Sequence, residues 1–108
     1  MKSKRNKEAR PHVSAEAFFE SLRKDPFVRI HYEEEHAKTE IAAAVKAARK
    51  KAGLTQVDLA RKIGTAQSVI ARLESGADSR SPSLPLLARI AVACDGSLEI
   101  GFVFKKAS

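Results

Sequence analysis

The chain is short of the residues that build special structures. Its 108 residues include one cysteine, no tryptophan, five phenylalanines and one tyrosine. A single thiol closes no internal disulfide, so folding has to rest on burial of apolar side chains. With few aromatics, that core must be assembled from Leu, Ile, Val and Ala. Cys94 falls at an apolar position of a predicted helix and reads as a small buried residue rather than a reactive one. No apolar run approaches the ~18 residues needed to cross a bilayer, and the basic start Met1 to Arg10 is not followed by the apolar stretch of a secretory signal. A cytoplasmic chain without a membrane partner is expected. Constellations of chemistry are missing too. His31 and His36 flank three glutamates, but five-residue spacing puts them well apart around a helix, unlike the four-residue spacing of a shared metal face. No serine, cysteine or glycine-rich arrangement fits nucleophilic catalysis or nucleotide binding. The expectation is no metal, no cofactor and no enzymatic activity.

Charge is abundant instead. Hydrophobic residues make up 44% and charged residues 31%, with a formal net charge of +7. The charge is +4 over residues 1–12, −2 over 13–38, +4 over 39–76 and +1 over 77–108. Two basic regions thus flank an acidic one. A basic compact domain attracts phosphate backbones through counterion release, although basic composition also suits a merely soluble protein.

Hydrophobic patterning divides the chain into four parts. Residues 1–13 have almost nothing to bury and read as a basic, disordered tail. Residues 14–38 read as a helical extension. Ser14 caps a short helix with Phe18, Phe19 and Leu22 on its apolar side, then Asp25 and Pro26 start a second helix carrying Phe27, Ile30 and Tyr32. Residues 39–96 read as a helical domain. A helix from Thr39 repeats Ile41, Val45, Ala48 and Ala52 on one face, crowds Lys46, Arg49, Lys50 and Lys51 at its dipole-favoured end, and stops at Gly53. Three closely spaced helices follow: Gln56 to Ile63 capped by Thr55, Ala66 to Ser75 capped by Thr65, and Leu84 to Cys94 capped by Ser83. In residues 97–108, Leu98, Ile100, Phe102 and Phe104 alternate with Glu99, Gly101, Val103 and Lys105, which is the period of a strand. One strand cannot satisfy its own backbone, so it is expected to pair with its counterpart in a second copy or with a sheet of another protein; the alternative is an extended tail lying on the helices.

The most specific pattern runs from Leu54 to Gly76. Leu59 and Ile63 lie four apart on one helix, Ile70 and Leu73 three apart on the next, so the two can bury a shared seam. Ala60 permits a close crossing, and Gly64 occupies the turn where positive φ is cheapest. A steep crossing of this kind projects Ala66, Gln67, Ser68, Ala71 and Arg72 from the start of the second helix towards a major groove.

These residues resemble the Xre-type helix-turn-helix shared with phage repressor and Cro proteins. Leu54-Thr55-Gln56, Leu59-Ala60, Ile63-Gly64, Gln67-Ser68, Ile70 and Leu73-Glu74-Ser75-Gly76 stand at the family's spacing, and the resemblance covers residues 39–94. It implies a mostly α fold, a lambda-repressor-like bundle, to which the residue patterns add an N-terminal helical extension and one C-terminal β-strand. It also implies that operator DNA is the partner, bound by a homodimer. Gln67 would be the main reader, its amide matching adenine N6 and N7, with Ser68 and Ala66 beside it and Arg72 one turn on. Gln56 would bind a phosphate and brace Gln67. Thr65 and Arg80 would contact phosphates, with Lys50 and Lys62 as further phosphate candidates.

The order of segments is similar to the antitoxins of HigB–HigA toxin–antitoxin modules, with an acidic N-terminal extension ahead of the motif and Gly96-Ser97-Leu98-Glu99-Ile100 behind it. That resemblance implies a second partner, a basic RelE/HigB-like endoribonuclease toxin, and repression of a shared operon. The aromatic residues Phe18, Phe19, Phe27 and Tyr32, edged by Glu16, Glu20, Glu33, Glu34 and Glu35, would cover the toxin's RNA-binding surface. Two alternatives are a stand-alone Xre-type regulator and a protein-interaction adaptor that merely retains the motif.

Overall fold

A computed structural model describes residues 14–77 and 80–104, apart from the side chains of residues 21 and 22. The basic tail read in residues 1–13 and the apolar role of Leu22 lie outside the described residues. Among the described residues five helices follow in order: α1 (Ala15–Lys24), α2 (Pro26–Lys51), α3 (Gln56–Ile63), α4 (Gln67–Ser75) and α5 (Leu84–Ala93). The chain divides into two compact units, residues 1–37 and 38–108. No helix among the described residues is long and apolar enough to cross a membrane.

In the first unit, the Ser14 hydroxyl accepts from the Ala17 amide and the Asp25 carboxylate from the Phe27 amide, so each helix start has its polar acceptor. A helix break before Thr39 is not found: α2 runs unbroken for 26 residues. After Pro26 it contains neither proline nor glycine and is rich in alanine, so nothing outweighs propagation of the helix, and a threonine by itself is no stop.

The second unit is built around Leu59 and Ile70, both without measurable exposure, joined by Val45, Ala60, Ile63, Leu73 and Ile90. Ile41, Leu54, Leu86, Leu87, Ala93 and the half-buried Cys94 pack against this cluster, and burial raises the Cys94 thiol pKa. A capping box starts α3, with Thr55 accepting from the Asp58 amide and Asp58 accepting from the Thr55 amide. Those bonds hold the Asp58 carboxyl below its ordinary range, chiefly through the backbone amide of Thr55. Gly64 ends α3 at φ +73, a conformation that costs other residues about 1 kcal/mol or more.

Two further expectations are corrected. Thr65 does not cap α4. Its amide bonds Ala60 O at 2.9 Å and completes the end of α3, and Ala66 takes the N-cap position without a side-chain bond, so α4 begins at Gln67. The C-terminal β-strand is also absent: among the described residues, Gly96 to Phe104 carry no regular structure. A strand exists through a neighbour's amides and carbonyls, and the single chain brings none alongside. Nor is this segment a tail lying on the helices, since Phe102 is 86% and Val103 99% exposed.

Candidate nucleic-acid interface

Crossing of α3 and α4 over the Leu59 and Ile70 seam leaves the first turn of α4 outside the core. Ala66, Gln67 and Ser68 are exposed there, Arg72 is exposed one turn on, and Thr65 is half-buried just ahead. Because Ala66 has no capping side chain, the first amides of α4 are left for an outside acceptor, at the positive end of the helix dipole.

Gln67 is tied to the interior by a line of hydrogen bonds. Its Nε2 donates to Gln56 Oε1 at 2.7 Å, and Gln56 Nε2 donates to Glu74 Oε1 at 3.1 Å. Glu74 in turn receives Arg49 Nε at 2.5 Å and Nη2 at 2.9 Å, a two-pronged ion pair in which the side chains are 10% and 3% exposed. Arg49 Nη1 also donates to Leu54 O at 2.8 Å, fastening the loop between α2 and α3.

Chemistry sets the direction of this line. A guanidinium only donates and a carboxylate only accepts, so Glu74 forces the nitrogen of the Gln56 amide inward and its oxygen outward. That oxygen then fixes the nitrogen of Gln67. The Gln67 amide keeps one N–H and its oxygen to offer outwards, which is the donor and acceptor pair that adenine N7 and N6 complement.

The buried pair carries matched perturbations. The hydrogen bond to Glu74, opposed by burial, raises the Arg49 pKa. Burial by itself would raise the Glu74 carboxyl, but hydrogen bonds from Arg49 and Gln56 and the charges of Arg49 and Lys46 outweigh it, leaving it below its ordinary value.

The sequence reading missed this pair. It counted Arg49 among the cations crowding the end of a helix, whereas Arg49 is buried at 9% exposure. The signal was available, because Arg49 lies four residues after Val45 and eight after Ile41, on the face that packs against the core.

Lys50 is exposed on the last turn of α2, and Arg80 is exposed in the loop ahead of Ser83, which caps α5. Lys62 Nζ donates to Ala93 O at 3.2 Å, at the C-terminal end of α5. In the N-terminal unit, Phe18 meets Phe19 and Tyr32 edge-on with ring centroids 5.5 and 5.8 Å apart, and Tyr32 stacks on His36. Phe27 is 81% exposed.

The profile of the helix-turn-helix family matches residues 45–100, more than half of the chain. The chain belongs to the Xre-type helix-turn-helix family. The match takes in α3, α4, α5 and the end of α2, including Arg49, Gln56, Gln67 and Glu74. This helix-turn-helix protein is therefore a DNA-binding transcriptional regulator, from a family of regulators and not of enzymes. No curated protein matches the chain.

Proposed function

We propose that this regulator is a dimeric, sequence-specific repressor that reads an operator through the first turns of α4, and that it doubles as the antitoxin of a RelE/HigB-like toxin. Gln67 reads adenine, Ser68 and Ala66 contact neighbouring bases, and Arg72 reaches a guanine or the backbone. Thr65 and Arg80 hold phosphates, Gln56 braces Gln67, and Lys50 adds to the attraction. The observation that carries the reading is the exposed Gln67 amide, aimed outwards by Gln56, Glu74 and Arg49. Mobility shift on the DNA upstream of the coding gene tests it. A discrete, salt-sensitive complex that survives an excess of unrelated DNA supports the reading, and equal affinity for every duplex refutes it.

The N-terminal unit supports the second role. Phe18, Phe19, Phe27 and Tyr32 stay exposed, and Glu16, Glu20, Glu33, Glu34 and Glu35 are exposed beside them in sequence, a combination suited to a basic protein surface. Co-expression with a RelE-like toxin tests it. Copurification and growth rescue that fail in a Phe18→Ala, Phe27→Ala variant with intact operator binding support the assignment; rescue by that variant removes these aromatics from it. The C-terminal residues Leu98, Ile100, Phe102 and Phe104 supply the dimer contact in this reading.

A further inference from the structure

Two features of this chain are each incomplete. The first is a groove of about 540 Å³ between α3 and α5, lined by Lys62, Ile63, Ala88, Arg89, Val92 and Ala93. Its floor is aliphatic and its rim carries two cations. Val92 is 72% exposed, on a helix whose other side is anchored in the core by Ile90. The second feature is the segment after α5, where Leu98, Ile100, Phe102 and Phe104 are 40%, 69%, 86% and 83% exposed. The chain turns away from α5 at Asp95, a non-glycine residue at φ +63, and Gly96 N–H bonds back to Ala91 O at 2.8 Å. With those exposures, the segment leaves its own groove open.

We propose that the C-terminal segment of each copy lies in the α3–α5 groove of a second copy, with Glu99 set between Lys62 and Arg89 of that copy. The inference rests on the dimeric repressor reading and adds the seat that the dimer uses. Charge is complementary: Glu99 is the one charged residue between Gly96 and Phe104, and the groove's two charged residues are both cations. Period two directs Leu98, Ile100 and Phe102 to the aliphatic floor and Glu99 to the opposite side. There the long rim cations extend past the apolar floor, and Lys62 is already steadied by Ala93 O. Exchange around a two-fold axis makes every contact twice. Leu98, Ile100 and Phe102 from each copy, with the floor they cover, bring the buried area to on the order of 1,000 Å², the size at which specific association becomes stable.

Light scattering of the full chain over a wide range of concentration tests the seat. Circular dichroism of each variant checks the fold, and Arg89, Val92 and Glu99 are all exposed, so none of the changes empties the core. Val92→Asp is expected to weaken dimerisation by on the order of a hundredfold, because it places a charge on the covered floor twice. Arg89→Glu and Glu99→Arg are each expected to weaken it about tenfold, and the two together to associate more tightly than either one. If the dimer ignores all three changes yet is lost on removal of residues 98–108, the segment pairs elsewhere; the seat is then wrong while the dimeric reading stands. A dimer that survives that removal likewise overturns the seat alone. A wild-type chain that stays monomeric at every concentration overturns both.

Discussion

The Nε2 of Gln67 donates to Oε1 of Gln56 at 2.7 Å, and through that bond the exposed side-chain amide at the start of α4 inherits its orientation from a carboxylate in the interior. On the proposed reading, base preference and core stability share residues, and substitutions can separate the two.

Gln67→Ala is expected to lose preference for the operator while keeping salt-sensitive attachment to any duplex. A bidentate amide contributes about 1 to 3 kcal/mol of discrimination, so the ratio of specific to nonspecific affinity should fall on the order of tenfold to a hundredfold. Competition mobility shifts at several salt concentrations measure it. Unchanged preference would remove Gln67 from the reading role.

Arg49→Met leaves Glu74 buried without its cation and is expected to cost about 3 to 5 kcal/mol, read by urea denaturation. Changing Glu74 to Leu as well should recover most of that stability, since an apolar pair can replace a buried ion pair at little cost. The double variant folds but no longer anchors Gln56, so its operator preference should stay below wild type. Restored stability with fully restored preference would show that the Gln56 anchor is dispensable.

Acid is expected to unfold the second unit partly through Glu74. Its carboxyl titrates lower in the folded chain than in the unfolded one, so its stabilising contribution is complete above the ordinary carboxylate value, about 4.3, and is lost as pH falls through the lower folded value. Asp58 acts in the same direction. Denaturation midpoints across pH 2 to 6, roughly the window set by those carboxylate values, should show a smaller acid dependence for Glu74→Gln than for wild type.

Gly64→Ala is expected to destabilise by about 1 to 2 kcal/mol through backbone conformation alone, since a methyl group there meets nothing within 4 Å. Gly64→Asn should cost less, because asparagine tolerates the left-handed region better, and Gly64→Val more. Thermal denaturation ranks the three.

Arg80→Ala should weaken every duplex alike and reduce the salt slope by about one unit, the signature of one lost phosphate contact. An altered order of preference among operators would place Arg80 among the base readers.

The helix-turn-helix was legible because its information is local. The spacing of Leu59, Ile63, Ile70 and Leu73 and the placement of Gly53, Gly64 and Gly76 are properties of one short stretch. What was missed depends on distant partners. Arg49 and Glu74 are 25 residues apart, and helix periodicity says which face a residue occupies but not which charge waits opposite. The C-terminal alternation has strand period without a strand, because pairing is supplied from outside the segment. Thr65 has the side chain of a cap, but α4 begins one residue later than the pattern suggests, with Ala66 at its N-cap.

Arg49 holds the end of α2, the loop at Leu54 and the far end of α4 from a single point, whereas residue 67 is merely the outermost link of that chain. The molecule thus resembles a fixed mount with an exchangeable tip. On the proposed reading, a change of side chain at the tip redirects the protein to a different target while the mount keeps its shape, and a change in the mount disturbs every target at once.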